Sequence, residues 1–328
     1  MSVTGYDVRL RPAQPPTPPA DAFAIHRADV GEGLELAYVR EGIGGYPLLL
    51  IHGYPETKRI WWRTIAPLVA AGFEVIVPDL RGHGESDFSA TNTYDLVTYS
   101  RDLYALVHDV LGHKHVGVIG GDVGGVVAVD MVHRFEGFVD GLCFFDTVPP
   151  IVIDDYVAAG IDIGSITSLS DGPTSDYRRR QGSEPDVLAA ELATPALRRA
   201  WVAAMYGPRL WASPGTFTAE DIDFMTEHWA EEARLRAGWA VYQLGYGRTA
   251  KEFPILDRKV EVPTLLFYGA DDHVVGPDFI HCCEVAFTNR VGPLVLPGAG
   301  HFLQWERADV FNPTVAMFFT ALESKLAR

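Results

Sequence analysis

The chain has 328 residues, 48% of them hydrophobic, which is enough for a large buried core and for one α/β domain carrying an inserted subdomain. Lys+Arg 27 against Asp+Glu 43 leaves a net charge of −16, which argues against nucleic acid and anionic membranes as partners and says little about a small-molecule substrate, which sees only its local pocket. Three cysteines, Cys143 and the adjacent Cys282 and Cys283, give neither a disulfide framework nor a zinc spacing, so no metal is expected. The N-terminus lacks the apolar core of a signal peptide and no stretch is long enough to span a bilayer, so the expected location is the cytoplasm.

Residues 1–23 include the proline-rich "RPAQPPTPPAD" and are expected to form an extended arm. Such an arm can wrap a partner subunit, which leaves a homodimer open; an ordered lead-in is the simpler reading. A regular rhythm follows. "LELAYVREG" alternates as a strand, "YPLLLIHG" is a short apolar strand, and "IWWRTIAPLVAAG" has helical spacing up to Gly72. "FEVIVPDLRGHG" reads as a strand, "YDLVTYSRDLYALVHDVLG" as a long amphipathic helix, "HVGVIGGD" as a strand, "VGGVVAVDMVHRF" as a helix and "GLCFFDTVPP" as a strand. Short apolar strands alternating with helices imply a parallel sheet covered on both faces. From 151 to 253 the pattern is helical throughout. The rhythm then resumes with "VPTLLFYGADD", a helix near 277–286, "GPLVLPGAGH" and a last helix, "PTVAMFFTALESKL". The reading is a core made of 24–150 and 254–328, interrupted by a helical insertion at 151–253.

The glycine cluster in "HVGVIGGDVGGVVAVD" could serve a dinucleotide or a nucleophile. The dinucleotide fingerprint needs glycines at the first, third and sixth positions of the turn, but the third position falls on Asp122 or Val123. The nucleophile elbow, G-x-nucleophile-x-G between a strand and a helix, fits Gly120-Gly121-Asp122-Val123-Gly124. No cofactor is then implied. The partners of an elbow nucleophile are present in the order the chemistry needs. His301 follows the last strand as a base, Asp271 and Asp272 follow an earlier one as acids, and His52-Gly53-Tyr54-Pro55 follows an early strand as an oxyanion loop.

Taken together, HGYP at 52–55, RGHGES at 81–86, GGDVG at 120–124, GADD at 269–272 and GAGH at 298–301 resemble the α/β-hydrolase superfamily over nearly the whole chain. The resemblance implies an α/β-hydrolase fold: a mostly parallel central sheet flanked by helices, with the insertion at 151–253 as a helical cap. An aspartate nucleophile is already ionised at neutral pH and attacks saturated carbon, giving an alkyl ester that His301 then hydrolyses with water. Within the superfamily, the Asp elbow with HGxP looks like epoxide hydrolases and haloalkane or haloacetate dehalogenases. By that resemblance the acid is Asp272, with Asp146 at the end of the preceding strand as the alternative. The oxyanion donors are the backbone N–H groups of Tyr54 and Val123.

Val123 stands where many relatives place a halide-binding tryptophan, and "DVGGVV" lacks the arginines of haloacetate dehalogenases, so an epoxide is favoured over a halide. Tyr242, in "GWAVYQLGYG", is the expected proton donor to the opened oxirane. A second donor is not evident, with Tyr156 and Tyr177 as candidates. His52 and His83 are expected to be structural, the tryptophans 61, 62, 229 and 239 to pack the core before they line a pocket, and "RRR" at 178–180 to be solvated surface. The rivals are a dehalogenase with the same Asp122 and His301, and a hydrolase-fold protein that binds without turnover.

Overall fold

The structure, a computed structural model, describes residues 12–162, 176–207, 211–247 and 252–326. Its frame is one sheet of eight strands: β1 (His26–Asp29), β2 (Glu35–Glu41), β3 (Tyr46–Ile51), β4 (Phe73–Pro78), β5 (Val116–Gly121), β6 (Val139–Phe145), β7 (Thr264–Gly269) and β8 (Arg290–Leu296). Their order across the sheet is β1-β2-β4-β3-β5-β6-β7-β8. The pairs β1–β2 and β2–β4 are antiparallel and the remaining pairs are parallel. The α/β-hydrolase fold is thus present, mostly parallel as expected. The polar strand β1, HRAD, carries no apolar run and gave no signal in the sequence.

Strand side chains alternate between two cores. Leu48 and Leu50 point to a layer containing Ile65 and Leu68 of α1 (Trp62–Ala70) and Phe311, Val315 and Phe319 of the last helix. Leu49 and Ile51 point to the opposite layer, with Leu103 of α2 (Leu96–Tyr104) and Val127 and Met131 of α3 (Asp122–Arg134). This period of two with helices on both faces explains why β3, β5 and β7 read as continuous apolar runs. The long amphipathic pattern after α2 is not one α-helix: Ala105–Val110 winds as a π-helix. All three cysteines are free and buried.

Between β6 and β7 the described residues form helices and turns and no strand. The helices are α4 (Ile153–Ala158), α5 (Asp176–Ser183), α6 (Pro185–Glu191), α7 (Pro195–Ala203), α8 (Ala219–Thr226) and α9 (Glu232–Gln243). The core then continues with α10 (Asp278–Ala286), α11 (Leu303–Glu306) and α12 (Ala308–Leu326), the last beginning earlier than its sequence pattern suggested and running through Pro313. No helix among the described residues is long and apolar enough to cross a membrane. Of the proline-rich arm, residues 12–23 are described. Arg63 donates to Gln14 Oε1 (2.8 Å) and the Pro15 carbonyl (2.9 Å), and Thr17 to Asp221 (2.7 Å), so this part is an ordered lead-in lying on α1 and α8.

The turn from β5 into α3 is the tightest point of the fold. Asp122 sits there at φ +46°, a conformation that costs a non-glycine residue on the order of 1–3 kcal/mol. A Cβ on Gly124 would lie 2.4 Å from the Ile51 carbonyl oxygen, so α3 starts in direct backbone contact with the end of β3. Gly124→Ala is therefore expected to lower stability by about 3 kcal/mol through overpacking against backbone that cannot retreat. Chemical denaturation at neutral pH should show it as a lower midpoint with an unchanged slope.

Candidate active site

Four loops at the carboxyl ends of parallel strands converge on Asp122, where ligands of open α/β sheets bind. The nucleophile elbow is held from below: the Asp122 N–H donates to the Asp146 carbonyl (3.2 Å), and the Thr147 hydroxyl donates to the Asp122 carbonyl. Its carboxylate is held from the side. Oδ1 accepts the Tyr54 N–H at 2.7 Å, and Oδ2 lies 3.2 Å from His301 Nε2. Burial would push the Asp122 pKa up, but the hydrogen bond and charge of His301, with the backbone N–H groups of Tyr54 and Val123, bring it below the ordinary carboxylate value. The carboxylate is thus ionised and aimed, with Oδ1 already on the Tyr54 N–H and the Val123 N–H also bonded to the group.

The loop that carries Tyr54 is fixed by buried polar groups. His52 Nε2 accepts the Leu80 N–H at 3.0 Å, and its Nδ1 lies 2.8 Å from the Gly53 carbonyl, so the ring is committed to structure as expected. Glu56 accepts the Gly53 N–H at 2.5 Å and the Gln304 amide at 2.8 Å, tying this loop to the one that holds His301. His83, packed on His52 and Trp229, is equally structural.

His301 bridges two carboxylates. Its Nδ1 lies 2.9 Å from Asp272 Oδ2, whose other oxygen accepts the N–H groups of Val274 (2.6 Å) and Val275 (3.2 Å). Burial alone would lower the imidazole pKa, but Asp272, then Asp122, outweigh it and raise it well above its ordinary value. Asp271 turns away to accept the Ser213 hydroxyl at 2.7 Å. Asp146 is not in contact with the imidazole. Its Oδ1 accepts the Gly269 N–H at 2.9 Å, its Oδ2 is buried without a hydrogen-bond partner, and burial beside Asp272 pushes its pKa well up, which describes a neutral acid that braces the β6–β7 ends. The His301 loop is itself pinned by Glu306, which accepts the N–H groups of Ser213 (2.7 Å), Gly300 (3.1 Å) and Phe302 (3.0 Å).

Asp122 opens into a cavity of about 280 Å³, lined mainly by aliphatic side chains such as Val123, Val126, Val241 and Val275 and by Tyr177 and Tyr242. The two tyrosine rings come from α5 and α9 and meet edge to face at 5.7 Å. Of the candidates for a second hydroxyl donor, Tyr177 is therefore at the site. Tyr156 is not: its hydroxyl donates to the Pro150 carbonyl and its ring is buried elsewhere. The rest of that early part of the insertion, residues 163–175, lies outside the described residues.

No indole lines this cavity among the described residues. Trp61 and Trp62 pack in the core, Trp229 packs against Tyr54, and Trp239 donates to the Tyr54 hydroxyl at 3.1 Å. The arginine run departs from the expectation of solvated surface. Arg179 and Arg180 do form exposed ion pairs, but Arg178 turns inward, lines the cavity and donates to the Tyr177 hydroxyl oxygen at 2.8 Å.

Comparison with known proteins agrees with this architecture. Residues 46–162 match the family described as the α/β hydrolase fold. The chain is 29% identical over 302 residues to the soluble epoxide hydrolase of Corynebacterium sp. (strain C12), covering 90% of this chain and 98% of that one. It is 25% identical over 327 residues to epoxide hydrolase A of Mycobacterium tuberculosis, covering 89% and 96%. The solved structure of the epoxide hydrolase CorEH without ligand superposes with a TM-score of 0.76 at 26% identity, covering 92% of this chain and 99% of that one. The chain thus has the α/β-hydrolase fold, and over nearly its whole length it is similar to epoxide hydrolases.

Proposed function

We propose that the protein is an epoxide hydrolase that opens a small, largely apolar epoxide to a diol through an ester on Asp122. The observation that carries this reading is the pairing, across one apolar cavity, of an ionised carboxylate with two tyrosine hydroxyls. Both ring-opening requirements, a nucleophile at carbon and an acid at oxygen, are met from opposite walls. The likeness to epoxide hydrolases over nearly the full length supports it.

The steps balance as follows. Asp122 Oδ2 attacks the epoxide carbon, the C–O bond breaks, and the departing oxygen takes a proton from a tyrosine hydroxyl. The product is a hydroxyalkyl ester and a tyrosinate. The ester carbonyl oxygen is Oδ1, already facing the Tyr54 N–H, which with the Val123 N–H stabilises the oxyanion of the next step. His301, oriented by Asp272, takes a proton from water as the hydroxide adds to the ester carbonyl. Collapse expels the diol oxygen, which takes that proton back from His301. The second proton of the water, released as Asp122 ionises again, restores the tyrosine.

Esterification also sets the state of His301. In the free enzyme the carboxylates of Asp122 and Asp272 favour the imidazolium. The ester carries no charge, so one of these supports vanishes and the imidazole becomes a base when a base is required. The dehalogenase reading shares Asp122 and His301; Trp211 packs on Tyr177 and His301, but no tryptophan is among the described residues that line the cavity.

A panel of epoxides and haloalkanes should give diol and no halide; halide release without diol would replace the proposal by the dehalogenase. In a single turnover with excess enzyme in heavy-oxygen water, the label should enter the Asp122 carboxylate and not the diol. His301→Gln should stop turnover after the first step, so that intact-protein mass spectrometry shows the added mass of the epoxide on the peptide holding Asp122. Because Asp122 stays ionised in acid while His301 becomes protonated, the steady-state fraction of esterified wild-type enzyme should rise as the pH is lowered. Acid-quenched mass spectrometry across pH measures this, and a constant fraction would contradict the assigned base.

A further inference from the structure

We infer that Arg178 makes Tyr177, rather than Tyr242, the group that hands its proton to the departing oxygen, by donating a hydrogen bond to the phenol oxygen and stabilising the tyrosinate left behind. The inference rests on the epoxide-opening reading above and names a positioning residue within it.

The two hydroxyls at the site are not equivalent. The Tyr177 oxygen accepts Arg178 Nε–H at 2.8 Å, so a lone pair is engaged by a cationic donor while the O–H proton remains to be given away. The Tyr242 hydroxyl has no hydrogen-bond partner among the described residues. It can donate to the same oxygen, but the phenolate that full transfer would leave is favoured by Arg178 only through space, without the hydrogen bond that Tyr177 receives.

Arg178 is built for this use. Its Nη2 donates to the Val274 carbonyl at 3.2 Å, on the same turn that holds Asp272, so the guanidinium is fixed against the triad loop. Most other arginines of the inserted helices spend their charge on a carboxylate, although Arg198 bonds only to carbonyls. Arg179, Arg180, Arg199, Arg234 and Arg236, all on the inserted helices, each pair with a carboxylate. Arg178 has no carboxylate within ion-pair distance among the described residues, although it lines an apolar cavity, so its charge is not spent on a neighbour. The groups facing Tyr177 act in the expected senses. Burial pushes its pKa up, to about 12; Arg178 on its own helix pulls it down, and Asp122 from the elbow and Asp272 from the β7 turn push it up. Burial raises Tyr242 well above the ordinary phenol value, with Tyr177, Asp122 and Tyr54 adding to it and Arg178 opposing it through space. Asp278 at the start of α10 is the remaining acid lining the cavity.

The test uses formation of the Asp122 ester in rapid-quench experiments on the full chain. Arg178→Gln should slow ester formation from propylene oxide by on the order of 10- to 100-fold, as loss of assistance to a general acid does. With the trifluoromethyl analogue, whose alkoxide leaves without much help, the same variant should lose less than about threefold. Arg178→Lys, which keeps the charge, should recover most of the rate. In a Tyr177→Phe background, Arg178→Gln should have no further effect, because the arginine acts only through the phenol.

Equal losses on both epoxides, or an undiminished Arg178→Gln effect in the Tyr177→Phe protein, would overturn the inference. So would a Tyr242→Phe variant showing the stronger dependence on leaving group. A substrate-free measurement separates this from the function itself. The ultraviolet titration of Tyr177, taken as wild type minus Tyr177→Phe, should have its midpoint moved to higher pH by Arg178→Gln. An unmoved midpoint refutes the coupling whatever the substrate. A moved midpoint in a protein that opens no epoxide upholds the coupling and removes the function.

Discussion

The structure is organised around one negative charge in an apolar cavity. A carboxylate facing valines and tyrosine rings would take up a proton unless its charge were answered locally, because burial favours the neutral form. Asp122 is answered on every available side: by the N–H of Tyr54 on one oxygen, by His301 at 3.2 Å from the other, and by the N–H of Val123. Each of these groups arrives from a different strand end. The order of the sheet, with β3 beside β5 and β7 beside β8, is what lets a loop, an elbow and a histidine meet at one point. The strained backbone of Asp122 and the glycines around it are the steric cost of that meeting.

On the proposed reaction, the same charge organises the chemistry in time. While it is present, His301 is held as a cation and the tyrosinates are disfavoured. Once it is spent in a carbon–oxygen bond, the electrostatic balance of the cavity changes sign in favour of a neutral imidazole. Arg178, unpaired with any carboxylate among the described residues, then becomes the nearest compensation for a phenolate on Tyr177. On that reading, two residues of opposite charge lining one cavity frame the reacting bond, one at its carbon and one, through a phenol, at its oxygen.

The parts of the site that were legible in the sequence lie within a few residues of an apolar strand. Tyr54, Asp122, Asp272 and His301 all follow runs that end in glycine-containing turns, and their order along the chain restricts what they can be. Asp271 and Asp272 could not be separated by such signals alone, since the difference is which way each side chain turns: Asp271 to the Ser213 hydroxyl, Asp272 to His301. Tyr177 could not be told from Tyr156, and Arg178 was obscured, because α5, DYRRRQGS, is so polar that it reads as surface. What makes half of it interior is packing against Tyr242 of α9 and the Val274 turn, contacts far apart in sequence. Strand β1 was missed for the complementary reason: it is polar on both faces and is defined only by its pairing with β2.

The inserted helices are not a module laid over a finished site. The His301 N–H donates to the Trp211 carbonyl at 2.9 Å, Glu306 holds both Ser213 and the glycine before His301, and Asp271 receives the Ser213 hydroxyl. Residues 211–213 therefore serve as scaffolding for the base as much as they serve the insertion. An exchange of insertions between relatives, made to move substrate preference from one scaffold to another, would have to leave this short segment behind with the core. If it travelled with the graft, the recipient would gain a new pocket and lose the register of its own histidine.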